Sequence, residues 1–152
     1  MKKFEFTGET KTISLFFRTA TLHRIRAVAE FGLVKIGDLG GWIEKEENLS
    51  HEGKAWVWGN AKVCGDAEVF SASHVLVIGA IGSRGDFTTF FRDKDNKITV
   101  KCGCFLGKID KFLEKVTQTH GDSKYALVYR AAVEVARLQI DLSGEAPKDT
   151  DK

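Results

Sequence analysis

The chain has 152 residues, 43% of them hydrophobic and 29% charged, with a net charge of +2. That length suits one domain with a real core, and acidic residues interleaved with basic ones give no case for nucleic acid or an anionic membrane as a partner. No apolar run approaches the roughly 18 residues of a membrane span. The MKKFEF start lacks the apolar centre of a signal peptide, and Cys64, Cys102 and Cys104 read as free thiols of a reducing, cytoplasmic setting.

Residues 1–36 read as short strands. KFEFTGETKTI breaks at Gly8, and TLHRIRAVAEF mixes alternating with apolar stretches; together they are expected to cap the unit that follows. His23, Arg24 and Arg26 could hold an anion, although a solvated strand face explains them more simply.

Residues 37–87 carry a beat of six. Small residues stand at 55, 61, 67, 73, 79 and 85, and two positions after each come Val57, Val63, Val69, Val75, Ile81 and Phe87. A helix repeats at 3.6 residues and cannot keep this register, and a plain strand needs no break at every sixth residue. One small and one aliphatic inward residue, followed by a Gly-Asn or Gly-Asp corner, marks a β-solenoid. Within GDLGGWIEKEENLS (37–50), Ile43 and Leu49 are again six apart. Leu49 to Val57 spans eight, so two residues must loop out there. GAIGSRGD is no phosphate loop, because it lacks the Gly-Lys-Ser/Thr ending.

The pattern resembles the hexapeptide-repeat, left-handed parallel β-helix, in which three hexads make one triangular turn. That resemblance implies a mostly β fold. It also stacks Trp56 under His74 and Trp58 under Leu76, one strand spacing of about 4.8 Å apart. Lys62, Cys64, Ala80 and Gly82 fall on a second outward face, and Glu68, Phe70 and Asp86 on a third. An aromatic face of this size must be covered, by the C-terminal helices, by another subunit or by a ligand. A two-turn stack also leaves ends that need capping, so a homodimer or homotrimer is expected.

Residues 88–142 form the C-terminal part. FTTFFRDKDNKITVKCGCF reads as two strands around Lys94-Asp95-Asn96-Lys97, with Ile98, Val100, Cys102 and Cys104 on one face. Two thiols without further ligands make a poor zinc site, so no metal is expected. Ile109, Phe112, Leu113 and Val116 have helical spacing. Gly121 ends that helix, and Asp122 is the expected N-cap of another whose buried stripe is Leu127, Val128, Ala131, Val135 and Leu138. Residues 143–152 have nothing to bury and are expected to be disordered.

The motifs RIRA (24–27), GDLGGWIEKEENLS, the Ala-x-Val-x-Gly-Asn hexads and CGCFLGKIDKFLEKVTQTHGDSKYALVYRAAVEVA together look like a family of small phage and prophage proteins. That resemblance implies a viral or mobile-element origin and a scaffold, but no site.

Three functions stay open. The first is an oligomeric, non-enzymatic phage-type binding protein in a bacterial cytoplasm. By analogy it would counter host antiviral defence, by sequestering a nucleotide signal or by blocking a defence protein. Its ligand-binding candidates are Trp56, Trp58 and His74, with Lys62, Arg84, Arg24 and Arg26 as cationic groups; Lys124 and Arg130 are also available. It needs no cofactor. The second is an acyltransferase using acetyl-coenzyme A, which the chain resembles in the repeat alone, with His74 as the base. The third is a structural virion or assembly component.

Overall fold

The structure, a computed structural model, describes residues 1–144. It is mostly β: two four-stranded sheets, then two helices.

The first sheet joins β1 (Phe4–Ser14), β2 (Thr19–Ala27), β3 (Leu39–Ile43) and β4 (Lys62–Val63) in that order. β1 and β2 form an antiparallel hairpin, with Phe4 opposite Ala27 and Phe6 opposite Ile25. The register shifts around Gly8, whose φ of 96° suits a residue without Cβ. β3 runs antiparallel to β2 but parallel to β4, with Ile43 beside Val63. A parallel bridge joins Leu49 to Val69. Partners in both parallel pairs are twenty residues apart, which is three six-residue units and the two extra residues after Leu49.

The inward positions are deeply buried: Ala55, Val57, Ala61, Val63, Ala67 and Val69 join Phe4, Ile25, Ile43 and Leu49 in one core. Two devices hold these layers together. Gly40 and Gly41 let the backbones meet, since a Cβ on Gly41 would run into the carbonyl oxygens of Trp58 and Ala61. Asn48, fully buried, accepts from the N–H groups of Glu44 (3.1 Å) and Lys45 (3.0 Å). It donates to the carbonyls of Gly65 and Ala67, both at 3.1 Å. All its hydrogen-bonding capacity is thereby used.

The six-residue register does not continue as a repeat beyond Val69. Ser71 caps a short 3-10 turn at Ala72–His74, and β5 (Val75–Ile81) then pairs antiparallel with β6 (Asp86–Arg92). Six is a multiple of two, so the same spacing also satisfies a plain strand. β7 (Ile98–Cys102) and β8 (Phe105–Lys108) complete an antiparallel meander in the order β5-β6-β7-β8. β6 is buried on both faces: Phe91 enters the first core, while Phe90 enters a second with Val100, Phe112, Val116, Tyr129 and Val133. The expected turn between β6 and β7 is present, organised by Asp93. Its Oδ1 accepts from the N–H groups of Asp95 and Lys97, and its Oδ2 from Thr99 Oγ1 and Lys108 Nζ, each at 2.7 Å.

α1 (Ile109–His120) buries Ile109, Phe112 and Val116 and ends at Gly121, φ 57°. α2 (Lys124–Gln139) has Ser123, not Asp122, as its N-cap. It also turns the other way from the sequence expectation. Ala126, Tyr129, Ala132, Val133 and Ala136 are buried, whereas Leu127, Val135 and Leu138 are 61%, 46% and 88% exposed. α2 is apolar on two sides, and its alanine-rich side permits the closer approach to the sheet. Cys104 does not share a strand face with Cys102, because it lies in the two-residue turn closed by the Cys102–Phe105 pair. Of the expected disordered tail, residues 145–152 lie outside the described residues. No described helix is long and apolar enough to cross a membrane.

Candidate functional site

Five elements, from Phe16 to Tyr129 in the chain, meet around a pocket of about 190 Å³. The β7–β8 turn forms one wall, and Gly103 takes its tight corner at φ 56°. α1 presents Phe112, Lys115, Val116, Thr119 and His120, the residues that a 3.6-residue period places on one face. α2 contributes Tyr129, the β5–β6 turn contributes Arg84, and the start of β6 contributes Asp86. Phe16, at the tip of the β1–β2 hairpin, closes the fourth side; its N–H donates to the carbonyl of Cys104 at 3.0 Å.

The lining is largely aromatic, with two cations, Arg84 and Lys115, and one carboxylate, Asp86. The Tyr129 ring stacks on His120 with centroids 5.6 Å apart and meets Phe112 edge-on at 5.8 Å. Burial pushes the Tyr129 hydroxyl up to about 12, helped by Cys102 beside it. Gly82 makes this seat, because a Cβ there would overlap the tyrosine hydroxyl. Lys115 Nζ lies 4.8 Å from the Phe16 ring centroid. Among the described residues, neither Arg84 nor Lys115 has an acidic partner in ion-pair contact. Nor does any hydrogen bond among them link His120 to a thiol or hydroxyl, as an activated nucleophile requires. No group of three or more His, Cys, Asp or Glu among them could hold a metal ion.

The residues singled out from the sequence are dispersed. Trp56 is 3% exposed, packed edge-on against Phe31 at 5.4 Å and covered by the N-terminal strands. Trp58 is exposed. His74 is buried in the 3-10 turn, where Nδ1 accepts from the Phe70 N–H at 3.3 Å. Burial, with Arg92 nearby, favours its neutral form. The expected stack of Trp56 with His74 is absent, because residues 72–74 turn where a further hexad would have continued. Arg26 is occupied by Glu5 at 2.7 Å. Arg24 and Lys62 do come together, on either side of Trp42 in the first sheet. Arg84 alone lines the pocket.

Sequence reasoning did not single out Phe16, Lys115, His120 or Tyr129 for a site. The period of α1 places Lys115, Thr119 and His120 together, but it carries no signal for what that face opposes.

In comparisons with known proteins, no family model matches this chain, and no curated protein matches it significantly.

Proposed function

We propose that this chain is a non-catalytic binding protein that captures a small, planar, anionic ligand of nucleotide type in the pocket between α1, α2 and the β7–β8 turn. The observation that carries this reading is the pair Arg84 and Lys115, two cations without an ion pair among the described residues, which outnumber the one carboxylate, Asp86, in the lining of an aromatic-walled pocket. A phosphoryl group would supply the missing countercharge, and Phe16, Phe112 and Tyr129 offer apolar surface for a ring. The volume is below the roughly 300–1,000 Å³ of sites that enclose a drug-sized ligand, so it suits one ring with its charged group outside.

The scaffold we propose is a short left-handed parallel β-helix within residues 37–69. The parallel pairs Ile43–Val63 and Leu49–Val69 and the buried six-residue beat support it. The resemblance to phage and prophage proteins supports a role against host defence in a bacterial cytoplasm, with the ligand as a sequestered signal. The exposed Leu127 and Leu138 on α2 support self-association.

The test is a thermal-shift screen with cyclic and ADP-ribose-type nucleotides, followed by calorimetry on any hit. A stabilising nucleotide whose affinity falls about tenfold in Arg84→Gln or Lys115→Gln is the expected result. A screen without a shift, or a hit indifferent to both substitutions, would overturn the assignment.

A further inference from the structure

The outward face of the first sheet gathers positive charge that the pocket does not use. Across the strands, Arg24 on β2 stands opposite Trp42 on β3, and Trp42 opposite Lys62 on β4. Partners directly across a sheet project to the same side. The Lys62 N–H donates to Thr89 Oγ1 of β6 at 3.0 Å, and Thr89 stands opposite Lys101 on β7. Lys11 completes the set, its Nζ 4.3 Å from the Trp42 ring centroid, with Arg24 Cζ at 5.9 Å from the same ring. Lys11, Arg24 and Lys62 thus flank one indole, over a floor of Leu22, Cys64 and Leu106, and Lys101 of the second sheet stands near enough to Lys62 to feel its charge.

This arrangement is costly as it stands. Lys101 is only 6% exposed, and its ammonium donates to the Gly103 carbonyl at 2.5 Å. A charge withdrawn from water is expensive unless an opposite charge replaces the lost hydration. Among the described residues, Lys11, Lys62 and Lys101 form no ion pair, and Arg24 reaches Glu9 only at 3.4 Å. The other carboxylate near enough to act on Lys11 and Lys101 is Asp86. Burial, reinforced by repulsion from Lys62, holds both ammonium groups below the ordinary lysine range. Stability alone gives no reason to assemble like charges in a half-desolvated seam.

We propose that the seam between the two sheets is an anion site for a phosphate chain of two or three phosphoryl groups, held by Lys11, Lys62 and Lys101 with Arg24 at its edge. Arg24 and Lys62 are two strands apart, about 10 Å between backbones, and Lys101 lies across the seam from Lys62. A linear chain of oxyanions spans such a set better than one phosphate does. Asp86 lines the pocket and also acts on Lys11 and Lys101. The seam uses neither Arg84 nor Lys115, so its proposal does not rest on the pocket reading.

Calorimetry of the full chain with sodium tripolyphosphate at low salt tests this, because each lost charged contact weakens binding about tenfold. Lys11 and Lys62 keep some contact with solvent, so Lys11→Gln and Lys62→Gln leave the buried Lys101 in place, and thermal melts check that both variants fold. The expected result is binding by the parent chain, weakened about tenfold by each substitution and unchanged by Arg84→Gln. In a parallel arm with adenosine triphosphate, tighter binding than the inorganic chain assigns the phosphates to a nucleotide, and equal binding to an inorganic chain. No heat with tripolyphosphate, full affinity in the Lys11→Gln/Lys62→Gln double variant, or loss in Arg84→Gln alone would each overturn the proposal.

Discussion

Lys3 is 3% exposed, and its ammonium donates to the Ala55 carbonyl at 2.6 Å and lies 4.8 Å from the Phe31 ring centroid. Burial outweighs the attraction of Glu52 and brings its pKa from 10.5 to about 8. The unfolded chain therefore holds this proton more tightly than the folded one, and stability rises as pH climbs above 8. The clean window lies between about 8 and 9.0, below the range in which the Cys64 thiol, itself raised by burial, pulls the other way. Lys11 and Lys101, also lowered, add to the rise. Urea unfolding should show a gain of about 1 kcal/mol across that unit of pH, and Lys3→Met should remove most of it. Equal slopes in the two proteins would show that Lys3 is not the source. Asp93 is the opposite case: burial would raise its carboxyl, but hydrogen bonds from Lys108, Thr99, Lys97 and Asp95 together bring it below the usual range.

At the scale of elements, the adjoining glycines of GDLGGW set how closely the layers stack. β3 lies against residues 57–61, and the Gly41 N–H donates to the Val57 carbonyl at 2.7 Å. The obstruction at Gly41 is backbone on two sides, which cannot rotate away. Gly41→Ala should therefore cost more than about 3 kcal/mol in chemical denaturation. Gly59→Ala, with nothing within 4 Å of the added Cβ, should stay within about 0.5 kcal/mol of the parent. Matching stabilities for the two variants would mean that the layers tolerate a methyl group, and the close-approach argument would fail.

At the scale of the molecule, the halves are tied at several points. The Arg92 guanidinium donates to the Glu68 carbonyl at 2.9 Å, and the Lys94 N–H donates to the Asp66 carbonyl at 2.8 Å. The Asp141 N–H reaches the Ser73 carbonyl at 3.3 Å, fastening the end of the helical part beside the buried His74. What stays open is the outer side of α2. If copies of the chain associate there, sedimentation of the parent should give a dimer or trimer, and Leu127→Glu with Leu138→Glu should give monomers of unchanged thermal stability. A parent that sediments as a monomer at micromolar concentration would remove that role from α2.

The sequence by itself determined the features that depend on near neighbours in the chain. Period and turn chemistry placed Ala55 to Val69 with their small and aliphatic residues inward, the 94–97 turn between two strands, and α1 with its apolar face and glycine stop. Tertiary structure alone decided which of two apolar sides α2 would bury, that Val75 would begin an antiparallel strand, and that Trp56 would be roofed by Phe31. Each of those choices is a contest between surfaces of similar hydrophobicity, won by closeness of fit, and closeness of fit is not written in spacing. The pocket and the lysine seam belong to the same class. Their members come from four or five elements separated by tens of residues, and only the docking of one sheet on the other brings their charges within range.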